Sequence, residues 1–202
     1  MEYLLPLLSV LLGFGIALFF RPKNKTNLKL LLAFSGSFLL ALTVIHLLPE
    51  VYESKNHAIG IYIMVGILFQ IILEFFSKGA EHGHVHGHDK LTQMPWTLFI
   101  SLCLHALLEG FPVGHHHDLA IGIAIHHFPI AIILTTFFLG AQLNKTTLFL
   151  FMMTFAIMTP LGTLVSENFP VLNHYYTEIT AVVIGILFHI SSTIIFESSE
   201  GH

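Results

Sequence analysis

Charge is what this sequence has least of. Asp, Glu, Lys and Arg make up 10% of its 202 residues, where soluble domains carry about 25%, so the chain cannot clothe a water-facing surface. Its net charge of −4 leaves no basic footprint for nucleic acid. One cysteine, Cys103, excludes a disulfide scaffold. A hydrophobic content of 54% excludes disorder. The length suits one domain with no separate soluble unit. What the chain does have, beside apolar residues, is histidine: 15 of them against 8 Lys plus Arg. The class expected is an all-α integral membrane protein whose function lies in its histidines.

A membrane helix needs roughly 20 mostly apolar residues. Seven stretches qualify, at about 3–20, 28–49, 57–76, 95–113, 118–141, 146–167 and 177–196. Their lengths favour helices over the ~10-residue alternating segments of a barrel. The first has no basic n-region and no small-residue cleavage site, so it is expected to be a retained span. Arg21, Lys23, Lys25 and Lys29 lie around the first connection, Lys78 and Lys90 in the third and Lys145 in the fifth, while Lys55 alone falls in an even-numbered one. The positive-inside rule then puts the N-terminus outside and the third connection in the cytoplasm.

Ionisable groups inside spans are costly and usually face a protein interior or a water-filled path. In the fourth span, His105 and Glu109 stand one turn apart on one helix face. Imidazole nitrogen with carboxylate oxygen suits zinc and related divalent ions; a hydrogen-bonded pair gluing two helices fits equally well. The fifth span carries His126-His127-Phe128-Pro129. Adjacent histidines diverge by about 100° on a helix, so the two are not expected to share one ligand position. Pro129 removes the helical partner of the Ile125 carbonyl and should bend the helix. The second span ends in His46-Leu-Leu-Pro49-Glu50, either an entrance site or a solvated helix end. Gln70 with Glu74, and His189 with Glu197, are lesser candidates. Thr159-Pro160-Leu161-Gly162 reads as a break in the sixth span, and the methionines as packing residues.

Two histidine clusters fall in connections. His82, His84, His86 and His88 alternate with small residues within a predicted cytoplasmic loop at 78–92, a composition that suits metal binding or an idle solvated loop. His115, His116 and His117 precede Asp118 in the connection between the fourth and fifth spans, on the outer side. Histidine clusters on both faces with histidines between them suggest a route for a metal ion.

Taken in order, these motifs resemble the ZIP (Zrt/Irt-like) family of divalent-metal transporters, and the resemblance covers nearly the whole chain. His105-Ala-Leu-Leu-Glu109-Gly110 is similar to the family's HNxxEG motif, His126-His127-Phe-Pro129 to its HExP motif, and Thr159-Pro-Leu-Gly162 to its PLG segment. His46-Leu-Leu-Pro49-Glu50 resembles the close of its second span. The resemblance implies a single transporter domain over 1–202 and a metal site between the fourth and fifth spans. It implies transport into the cytoplasm of Zn²⁺ first, with Fe²⁺, Mn²⁺ and Cd²⁺ as further candidates. By position, His105, Glu109 and His127 match one metal site, with His126 beside it. Ala106, His126, His127 and Thr159 occupy the positions of a second site, and two of these are not strong ligands. A single, more histidine-rich centre is therefore expected. His127 stands where the family has glutamate, which should favour Zn²⁺ over Mn²⁺ and make binding pH-sensitive, because imidazole must be deprotonated to ligate. The family's eighth span is missing here, so the chain is expected to be a fragment of a longer protein.

The expected partners are divalent metal ions and the lipid bilayer of the cell membrane, with a homodimer left open. Two rival functions fit parts of the pattern. A seven-span zinc-dependent membrane hydrolase would use three histidines on Zn²⁺ and Glu109 to activate water, but no HExxH motif occurs. A haem-binding electron carrier would want facing histidine pairs and leaves Glu109 and the loop histidines without a role.

Overall fold

The computed structural model describes residues 4–22, 25–77, 91 and 94–199. Among these the chain is helical almost throughout, with no strand. The order is α1 (Leu4–Phe20), α2 (Lys25–Leu42), a π-helical turn (Thr43–Leu47), α3 (Leu48–Glu53), α4 (Ile59–Ser77), α5 (Trp96–Glu109), a 3-10 turn (Phe111–His115), α6 (His117–Gly140), α7 (Lys145–Asn168), α8 (Pro170–His174) and α9 (Tyr176–Ser199).

Among the described residues six segments are long and apolar enough to cross a membrane: Thr26–Glu53, Ile59–Ser77, Trp96–His115, His117–Gly140, Lys145–Asn168 and Tyr176–Glu197. The first of the seven expected spans falls short of that length. Its helix, α1, has 17 residues, about 26 Å at 1.5 Å per residue. It ends at Arg21, whose φ of 44° is left-handed, and Pro22 follows. The surface is apolar too: Leu12, Phe34, Ile61, Leu68, Phe75 and Leu150 are all exposed, the reverse of a helix that meets water.

The tight α6–α7 connection is built from local chemistry. Gln142 adopts φ 59°, with Gln142 N–H donating to Leu139 O (3.2 Å) and Leu143 N–H to Phe138 O (3.0 Å), a Schellman ending. The Asn144 side chain then accepts from Thr146 N–H at 2.9 Å, starting α7.

Pro160 does not break its helix as expected. Pro129 lies inside α6 and Pro160 inside α7, both uninterrupted. A buried helix can lose one N–H and continue when packing holds the flanking turns. The irregular turn lies elsewhere, at Thr43–Leu47, where the π-helical winding carries His46.

Glycines set the closest helix crossings. A Cβ on Gly110 would strike the Thr159 carbonyl and one on Gly162 the Leu107 carbonyl, locking α7 to the end of α5. Gly66 meets the Val182 carbonyl and Gly185 the Ile63 carbonyl, doing the same for α4 and α9. The most extensive pairing is α1 with α6, and α6 is the most buried of the six spanning-length segments. α5 and α6, by contrast, make almost no close backbone approach.

Candidate metal centre

His105, Glu109, His126 and His127 are all buried in the space between α5 and α6. The α-helical repeat puts Ser101, His105 and Glu109 on one buried face of α5. Glu109 is held from both sides. His105 Nε2 lies 3.1 Å from Oε1, and His127 Nε2 lies 3.0 Å from Oε2. A carboxylate removed from water needs such compensation.

One atom each from His105, Glu109 and His126 lies within 4.8 Å of the others, a spacing that can close around one metal ion. The adjacent histidines take different places at the cluster, with ring centres 6.0 Å apart. His126 stands in the three-donor group, and His127 lies against the far oxygen of Glu109. A hydrogen bond from such a position orients a carboxylate.

On one flank the centre meets aromatic carbon. The Phe155 ring is 5.2 Å from that of His127. Further along, Phe151 packs on Phe138 at 4.8 Å and on Phe99 at 5.1 Å. Thr159 is buried nearby, its backbone against Gly110, and its hydroxyl has no partner.

Towards the other end, His46, His115, His116, His117 and Asp118 line a cleft of about 190 Å³. Glu50 reaches into this region, 2.7 Å from His116 Nε2. The Tyr176 ring packs edge-on against His115 with centres 4.5 Å apart. His46, Glu50, His115, His116 and His117 come from the π-helical turn, α3, the α5–α6 connection and the start of α6, so the structure gathers the whole set predicted as an entrance.

Glu74 does not stand alone at a helix end: it pairs with His189 across α4 and α9. Gln70 is buried one turn away, and Ser101 Oγ donates to Leu73 O at 2.8 Å. Spacing within single helices gave no sign of the Glu74–His189 pair, since it joins helices far apart in sequence. The histidines at 82, 84, 86 and 88 lie outside the described residues.

No protein-family model, curated protein or solved structure matches this chain.

Proposed function

We propose that this protein is a membrane transporter of divalent metal ions, Zn²⁺ first among them, of the ZIP-like kind, with His105, Glu109 and His126 holding the ion in transit. One observation carries the reading: three buried donor atoms of metal-ligating type, on two helices that scarcely touch, lie within 4.8 Å of one another.

In this reading α1 also spans, as the first of seven, and the N-terminus lies outside the cell membrane. The cleft at His115–His117 then faces outward and concentrates cations. At the centre the ion exchanges water for two imidazole nitrogens and a carboxylate oxygen. Neutral imidazoles leave the group with one negative charge, so a dication is held without full neutralisation, as a carrier that must release it requires. The Glu74–His189 pair stands towards the cytoplasmic end. The hydrolase alternative has less support, because Glu109 itself stands in the three-donor group and the sequence holds no HExxH motif.

The test is flux. The purified chain is reconstituted into vesicles loaded with a zinc-sensitive dye. The reading expects Zn²⁺ entry, lost in His105→Ala and Glu109→Ala. Entry equal to that of empty vesicles would overturn it, and a coloured purified protein would favour haem instead.

A further inference from the structure

The two halves of the metal centre sit on helices that meet through side chains and not through their backbones. α5 carries His105 and Glu109, α6 carries His126 and His127, and their backbones make almost no close approach. Their register is set through other helices. Gly110 and Gly162 fix α5 against α7, α7 packs on α1 with Phe14 and Phe149 rings 6.4 Å apart, and α1 closes the circuit on α6.

Two α1 contacts flank the histidines in the sequence of α6. Ser9 Oγ donates to the Ala124 carbonyl. One turn along α1, Gly13 lies over the next carbonyl of that row, Phe128. A Cβ there would sit 2.7 Å from the Phe128 oxygen and 2.9 Å from Ala131 Cβ. Ala124 and Phe128 bracket His126 and His127, and Pro129 deprives the Ile125 carbonyl between them of its helical donor. α1 therefore braces α6 where its own hydrogen-bond ladder is interrupted.

We propose that Ser9 and Gly13 are positioning residues for the metal centre: they fix the α6 backbone on either side of His126 and His127 and so set how these imidazoles meet His105 and Glu109. The proposal rests on the metal-transport reading above. Sites of this kind need their groups held within roughly 0.5 Å, and a methyl group at position 13 would exceed that tolerance because a backbone carbonyl must yield. Ser9→Ala acts differently, removing one hydroxyl and adding no bulk.

Co²⁺ titration of the purified full chain in detergent, followed by the visible d–d bands, tests both residues. The unaltered chain is expected to bind Co²⁺ with bands of a mixed nitrogen–oxygen site. Gly13→Ala should weaken binding by about 10–100-fold, the range for residues that support a metal ligand, and shift the bands. Ser9→Ala should weaken it in the same direction, with Ser9→Thr restoring it. Gly15→Ala is the control on the same helix, since a Cβ there meets nothing within 4 Å, and it should bind as the unaltered chain does. If Gly13→Ala does not fold, Ser9→Ala with its threonine rescue decides. Unchanged affinity and bands in folded Gly13→Ala and Ser9→Ala would overturn the role of α1 alone. Failure of the unaltered chain to bind Co²⁺ would overturn the metal reading and this role with it.

Discussion

His127 Nε2 lies 3.0 Å from Glu109 Oε2, tying α6 to α5 across a gap that their backbones leave open. Whatever α6 does is therefore felt at the carboxylate, and the protonation and geometry of Glu109 depend on a residue outside its own helix.

Glu109→Gln keeps the shape of the side chain and removes its charge. Zn²⁺ binding should fall by more than about 100-fold, beyond the range for residues that only support a ligand, while the helical content by circular dichroism stays unchanged. Equilibrium titration of the purified variant measures this.

His126 and His127 should separate. His126→Ala removes a donor and should abolish binding, whereas His127→Ala should weaken it by about 10–100-fold. X-ray absorption on the Zn²⁺-loaded chain should count two nitrogen donors from imidazole in both the unaltered protein and His127→Ala. Loss of a donor on replacing His127 would make it a ligand in its own right.

Selectivity should follow carboxylate number. His127→Glu adds an anionic oxygen donor beside Glu109, and oxygen-rich sites suit Mn²⁺ better than imidazole-rich ones do. Competition of Mn²⁺ against Zn²⁺ uptake should become stronger in the variant.

The glycine crossings should be intolerant of bulk. Gly110→Ala and Gly162→Ala each force a Cβ onto a backbone carbonyl, and overpacking of this kind costs about 1–3 kcal/mol or more. Gly140→Ala meets nothing within 4 Å and should be neutral or slightly stabilising. Thermal unfolding in detergent ranks the three.

Replacing His115, His116 and His117 by alanine should raise the Zn²⁺ concentration needed for half-maximal uptake several-fold and leave the maximal rate unchanged, because in the proposed reading the cleft collects ions and the buried centre moves them. Uptake measured across a Zn²⁺ series distinguishes the two parameters.

The helices were legible because apolar runs of spanning length are a composition signal, and their ends fall within a few residues of the expected limits. His105 and Glu109 were legible because a spacing of four is a local rule. The assignment of His126 rather than His127 to the donor group was not, since it depends on how α6 is rotated against α5. Nor was the pairing of Glu74 with His189, or the contact of Gly13 with the Phe128 carbonyl. Pro160 misled in the same way: a helix-breaking residue says what a turn loses, and packing decides whether the turn survives. The π-helical turn at His46 has no sequence signature of its own.

The aromatic layer beyond His127 adds an electrical property to the centre. An ion passing Phe155, Phe151, Phe138 and Phe99 would meet ring carbon, where an isolated charge taken from water costs tens of kcal/mol. If the centre carries ions as proposed, that flank is an electrical insulator in this conformation, and passage requires the rings to part.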